Sequence, residues 1–130
     1  MLWGNLLKEL ELEARAVSEL QGIARIRLRD GMLEEFKRLA GHFMEIVRTR
    51  DTGTLQFAIY FNDDQSECIV LERYRDFEAL MEHGANIGEL AQEIFATGSV
   101  TSACLGEPSV PLRAQLAGSA VPLFTPYLSL

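Results

Sequence analysis

This sequence has few residues suited to zinc binding or thiol redox chemistry. Only two cysteines, Cys68 and Cys104, occur in 130 residues, with no CxxC pair. Neither they nor the two histidines cluster at zinc-ligand spacing. Both thiols fall among apolar neighbours and read as buried free cysteines. No GxGxxG or GxxxxGK[ST] loop is present to cradle a nucleotide. There is also no GxSxG elbow for a serine nucleophile. Basic residues are outnumbered, 12 Lys and Arg against 19 Asp and Glu, for a formal charge of −7. A surface of that sign repels phosphate backbones and anionic headgroups, which disfavours nucleic-acid and membrane partners. No apolar run approaches the roughly eighteen residues of a membrane span. Near the start, Lys8 stands among Glu9, Glu11 and Glu13 instead of leading an apolar signal core, so a cytoplasmic location is expected. Tryptophan occurs once, at Trp3, and all four prolines lie beyond residue 107.

Apolar residues make up 48% of the chain, enough for the core of one domain. Residues 1–21 carry Trp3, Leu6, Leu7, Leu10, Ala14, Val17 and Leu20 at intervals of three and four. This spacing predicts an amphipathic helix ended by Gly22. "IARIRLR", Ile23 to Arg29, alternates: Ala24, Ile26 and Leu28 share one face, and Arg25, Arg27 and Arg29 share the other as a solvated or salt-bridged row. Leu33, Phe36, Leu39, Ala40, Phe43, Ile46 and Val47 then recur at helical spacing, and Asp51, Thr52 and Gly53 supply a turn. "TLQFAIYF" and "ECIVLERY" read as a hairpin joined by "NDDQS". Asp76 is an expected N-cap for a helix that bends or restarts near Gly88. "SVTSACL", Ser99 to Leu105, is a fourth strand, and residues 111–118 read as a short helix before an apolar tail.

The order β-α-β-β-α-β over residues 22–107 is that of an α+β, ferredoxin-like domain, preceded by the helix of 1–21 and followed by a C-terminal arm, 108–130. Its usual sheet order puts the first strand between the third and fourth. Cys68 and Cys104 would then stand about 10 Å apart, beyond the roughly 7 Å reach of a disulfide. The middle strands are apolar on both faces. Leu55, Phe57, Ile59 and Phe61 oppose Ala58 and Tyr60, and Ile69 and Leu71 oppose Cys68 and Val70. Such a sheet needs a second cover. Either a second copy packs face to face, or the tail folds back over its own sheet. A tail that reaches across to brace a partner is the preferred of its two roles.

Three segments, "DTGTLQFAIYFNDD", "VLERYRDFEALMEHGAN" and "GEPSVPLRAQL", together resemble antibiotic-biosynthesis-monooxygenase (ABM) domains, in particular their stand-alone quinol-monooxygenase-like branch. The resemblance spans residues 23–130 and implies a dimeric α/β barrel with an apolar cavity between sheet and helices. It also implies a cofactor-independent monooxygenase or oxidase that uses no metal, flavin or haem and acts on a small phenol or quinol. A base removes the phenol proton, and the phenolate passes an electron to dioxygen. The family's strand glutamate and helical histidine match Glu72 and His83. The family's cavity tryptophan has no counterpart here, since Trp3 lies outside the matching segments.

Read from the residues alone, His83 sits beside Leu80 and Ile87 at the edge of a buried stripe, where a local structural role and a role as base are equally compatible with its spacing. Glu72 shares a strand face with Val70 and Cys68, where a carboxylate needs a partner. That partner is His83 or a substrate hydroxyl if the face meets the helices, and an arginine such as Arg25 or Arg73 if it does not. The expected site has His83 as base and Glu72 as its orienter. Tyr60 and Tyr74 stand near the mouth, and Phe43, His42 and Met81 are candidate substrate contacts. Asn86 is expected in solvent. The alternatives are a non-catalytic dimeric ligand-binding or stress-response domain and, more weakly, a haem protein with His83 as axial ligand.

Overall fold

The computed structural model describes residues 2–130, with the side chains of residues 11–17 outside the description; Ala14 and Val17 of the expected apolar stripe therefore fall outside it, as does Met1. In chain order the elements are α1 (Leu2–Ser18), β1 (Leu20–Leu28), α2 (Leu33–Arg50), β2 (Thr54–Phe61), β3 (Glu67–Tyr74), α3 (Phe77–Ile87), α4 (Leu90–Phe95), β4 (Gly98–Leu105), α5 (Val110–Leu116) and β5 (Leu123–Phe124). The sheet order is β2-β3-β1-β4-β5. The first four strands form the expected ferredoxin-like arrangement, and β5 adds itself in parallel to the β4 edge. Among the described residues no helix is long and apolar enough to cross a membrane.

The register explains the shape of the interior. Four strands align their helix-facing residues in rows. One row runs Phe57–Glu72–Gly22–Cys104, the next Ile59–Val70–Ala24–Ser102, and the next has Cys68 and Ile26 flanked by Phe61 and Val100. Along β1 the helix-facing residues are therefore Leu20, Gly22, Ala24 and Ile26. Large side chains at both ends are buried in separate apolar clusters. The small pair between them leaves the centre of the sheet low. Phe36, Leu39, Phe43 and Val47 of α2 and Leu90 and Ile94 of α4 close the larger cluster over Ile26, Cys68 and Val70. Leu112 of α5 closes the smaller one over Leu20 and Cys104. Both cysteines are free and buried. Burial pushes the Cys68 thiol up to about 11, so it packs as an apolar group.

Several boundaries differ from the sequence reading, each for a physical reason. Gly22 does not end α1, which stops at Ser18. It lies inside β1, where the strand needs a residue without a side chain. A register shift between Thr54 and Gln56 takes Leu55 off the face of Phe57, Ile59 and Phe61 and leaves it exposed. The restart at Gly88 is present. Its φ of 51° ends α3, and α4 begins at Leu90. Asp76 caps α3 by accepting from the Ala79 backbone N–H at 2.8 Å.

The opposite sheet face carries Ile23, Ala58, Ile69, Leu71 and Ala103, all half-buried. Its charges are paired: Glu67 takes Arg25 at 3.0 Å and Arg27 at 2.6 Å, and Arg73 reaches Glu19 at 3.4 Å. The tail does not blanket this face. Leu123 and Phe124 extend the sheet edgewise, and Tyr127, Leu128 and Leu130 are exposed. On α1, Leu2, Trp3, Leu6, Leu7 and Leu10 are exposed as well.

Candidate active site

Gly22 and Ala24 form the floor of a partly open, mostly apolar cavity of about 320 Å³ between sheet and helices. Phe57, Ile59 and Val70 complete the floor. Phe43, Leu80, Ile87 and Ile94 roof it, and Leu116 and Val121 of the C-terminal arm close one side. The side chains of Glu72, Tyr74 and His83 enter this apolar setting from β3 and α3.

His83 is 3% exposed. Its Nδ1 lies 2.7 Å from Asp51 Oδ2. Asp51 follows the last turn of α2, and its side chain is only 1% exposed. Thr54 Oγ1 donates to Oδ2 at 2.7 Å, and Asn86 Nδ2 donates to Oδ1 at 2.9 Å. Burial raises the Asp51 pKa, but the hydrogen bonds from Asn86, Thr54 and His83 outweigh it and hold the carboxyl below its ordinary range. An ionised carboxylate only accepts, so Nδ1 carries the hydrogen, which leaves Nε2 as the ring atom able to take or give a proton. Among the described residues no hydrogen bond takes Nε2, and no fully enclosed side-chain nitrogen or oxygen lacks a partner. The His83 side chain lines the cavity. The rings of Tyr74, Phe43 and Phe57 surround the imidazole at centroid distances of 5.2, 5.5 and 6.2 Å.

The loop that supplies Asp51 is gripped by α3. Glu82 accepts from the Thr52 backbone N–H at 2.5 Å and from its hydroxyl at 2.8 Å. A Cβ on Gly53 would lie 2.4 Å from that of Ala79, so only glycine lets the loop sit this close. Glu82, His83 and Asn86 thus hold the Asp51–Thr52 pair from one helix.

Glu72 is the second ionisable group. The Tyr74 hydroxyl donates to its Oε2 at 2.5 Å. Burial pushes the carboxyl up, opposed by the Tyr74 hydrogen bond and the charge of His83, and the net shift is upward. Burial and the neighbouring Glu72 also raise Tyr74, which stays a neutral donor. A Cβ at Gly22 would stand 3.3 Å from Glu72 Oε2, so the glycine of the neighbouring strand makes room for this carboxyl.

Of the expected site residues, His83, Glu72, Tyr74 and Phe43 border one cavity. Glu72 does not orient His83; Asp51 does, and Glu72 pairs with Tyr74. Neither Arg25 nor Arg73 serves Glu72, because their side chains leave the other sheet face. Tyr74 is not at a mouth but buried in the wall. Tyr60 also leaves the opposite sheet face and is 56% exposed. His42 and Met81 turn outward from their helices, and neither lines the cavity. Asn86 is not solvated but bound to Asp51. Asp51, Thr54 and Asn86 are the residues that sequence reasoning missed. The one available signal was Asn86 at three residues from His83, a spacing that puts both on one side of a helix. Among the described residues no group of three His, Cys, Asp or Glu side chains is placed to hold a metal ion.

Comparison with known proteins agrees with this architecture. The family model described as antibiotic biosynthesis monooxygenase matches residues 22–86, half of the chain. Among solved structures, MupZ from Pseudomonas fluorescens superposes with a TM-score of 0.76 at 24% identity, covering 87% of this chain and 93% of that one. Rv0793 from Mycobacterium tuberculosis gives 0.62 at 22% identity, covering 71% and 97%. SnoaB from Streptomyces nogalater, described as a cofactor-independent oxygenase, gives 0.60 at 14% identity, covering 72% and 98%. At these identities the likeness speaks for the fold alone. No curated protein matches. The family match spans the strands and helices that carry Gly22, Asp51, Glu72, Tyr74, His83 and Asn86, and the chain belongs to the antibiotic biosynthesis monooxygenase family.

Proposed function

We propose that this protein is a cofactor-independent oxygenase that takes a small phenol or hydroquinone into the cavity and oxidises it with dioxygen. The observation that carries this reading is the His83–Asp51 pair, whose imidazole lines an apolar space large enough for an aromatic ring. SnoaB, a cofactor-independent oxygenase of the same fold, supports it. His83 takes the phenol proton, and Asp51 fixes the ring and stabilises the imidazolium that forms. The phenolate gives one electron to dioxygen, and the two radicals combine into a C–O bond. Cleavage of the O–O bond releases water and leaves a quinone carbonyl, so one phenol and one O₂ give one quinone and one H₂O. The protein supplies a dry pocket, orientation and the base.

The outer sheet face suits a second copy, making the working unit a homodimer. Its half-buried apolar centre is bordered by paired charges and is not covered by the tail. The haem reading loses ground, because among the described residues no Lys or Arg side chain lines the cavity to meet a propionate. Oxygen uptake with a hydroquinone panel tests the oxygenase. Turnover in the wild type should fall by about 10²–10⁴-fold in His83→Ala. Equal uptake by both proteins removes His83 from the chemistry. Thermal stabilisation by an aromatic ligand without any uptake favours a non-catalytic binding domain.

A further inference from the structure

We propose that the same cavity enolises ketones, with His83 withdrawing a proton from the carbon beside the carbonyl and Glu72 donating one to the carbonyl oxygen. The inference shares its base with the proposed oxygenation but needs no oxygen.

Its basis is a pair of proton-handling groups in one apolar space. His83 lends Nε2, since Nδ1 is committed to Asp51. Glu72 lends Oε1, since the Tyr74 hydroxyl occupies Oε2. The Tyr74 ring stands between them, 5.2 Å from the imidazole and bonded through its hydroxyl to the carboxyl. A lone base at a phenol would leave Glu72 without a task, yet the fold makes a place for it. Gly22 gives up its side chain beside the carboxyl, and Tyr74 is fully buried to bond it. Burial favours the uncharged acid, the form able to donate. The hydrogen bonds to Asp51 keep that carboxyl ionised behind the base.

The electron count closes without an oxidant. The C–H pair becomes the C=C bond of the enol while its proton moves to Nε2. The carbonyl π pair moves to oxygen, which takes the proton of Glu72. In the reverse step the hydroxyl returns its proton to Glu72, and the carbon takes one from Nε2, which has meanwhile exchanged with water. The walls select a largely apolar ketone about the size of a bicyclic ring system, because Phe43, Phe57, Ile59, Leu116 and Val121 offer no further hydrogen bonds.

The test is anaerobic incorporation of deuterium from D₂O into 2-tetralone, followed by NMR. It can therefore be read whether or not hydroquinones are oxidised. Wild-type protein should accelerate exchange by about 10²-fold or more over buffer, with His83→Gln near the buffer rate and Glu72→Gln lower by about 10²-fold. Glu72→Asp should retain part of the exchange, because it keeps the transferable proton; a purely structural role would leave the Gln and Asp variants alike. Circular dichroism and the melting shift caused by 2-tetralone establish that each variant folds and binds. Exchange no faster than buffer with the wild type, or equal exchange with Glu72→Gln, overturns the inference.

Discussion

At the scale of single residues, Asp51 and Glu72 are carboxyls with opposite tasks and opposite effects on stability. Asp51 meets three donors, so Asp51→Ala strands His83 Nδ1, Asn86 and Thr54 in the interior. That change should cost about 2–4 kcal/mol in urea unfolding. The folded pKa of Asp51 is lowered, so its stabilisation is complete above the unfolded value of about 3.9 and drains as pH falls through the lower folded value. Glu72 works in the other direction. Its folded pKa is raised, so it weakens the fold as pH climbs from the unfolded value of about 4.3 to the folded one. Glu72→Gln, which can still accept from Tyr74, should therefore gain in melting temperature relative to wild type as pH rises above about 4. A constant margin would show that Glu72 titrates alike in both states. His83 and Glu72 were legible because a helical stripe and a strand alternation place them beside apolar neighbours. Asp51 was not, since "RDTG" reads as an ordinary turn. Its role rests on a contact with α3 across 32 residues of sequence.

At the scale of elements, the cavity follows from a two-residue deficit on β1. Gly22 and Ala24 stand where a packed strand would carry larger side chains, and Glu72 occupies the space beside Gly22. Gly22→Val should leave the fold in place, since valine suits a strand. Its branched side chain would displace the carboxyl and part of the bound ligand, lowering turnover on the order of a hundredfold. Steady-state kinetics and a thermal melt on the same sample separate the two effects. The order of strands and helices was readable from periodicity, including the break at Gly88 and the cap at Asp76. The start of β1 was not. "VSELQGIAR" runs from a helical pattern into an alternating one, and glycine is as often a helix stop as a gap in a strand. Only the register opposite Glu72 decides between the two. The same limit hid the shift at Leu55, because alternation within one strand carries no record of how its neighbour pairs.

At the scale of the whole molecule, one sheet face holds the cavity and the other holds a half-buried apolar centre. If a second copy covers that centre, sedimentation equilibrium should give about twice the 14.5 kDa of the chain. Leu71→Glu, which puts a charge into the middle of that face, should return the mass to 14.5 kDa with the circular dichroism unchanged. Covering the outer face would stiffen β3, the strand that carries Glu72 and Tyr74. Dissociation should therefore weaken ligand binding, although neither residue faces the partner. Apolar patterning on both sides of β2 and β3 made a cover necessary from the sequence alone. It did not tell a tail from a twin, and the edgewise pairing of Leu123 and Phe124 with β4 leaves the outer face open.

Whether the interior accepts a phenol and its proton can be read in one titration, with 4-nitrophenol added at a pH below its own pKa and the visible spectrum of the bound form recorded. The yellow phenolate should appear on binding to the wild type and be absent with His83→Gln. Failure to bind, or the same colour with both proteins, would contradict a guest seated against His83 in an apolar cavity.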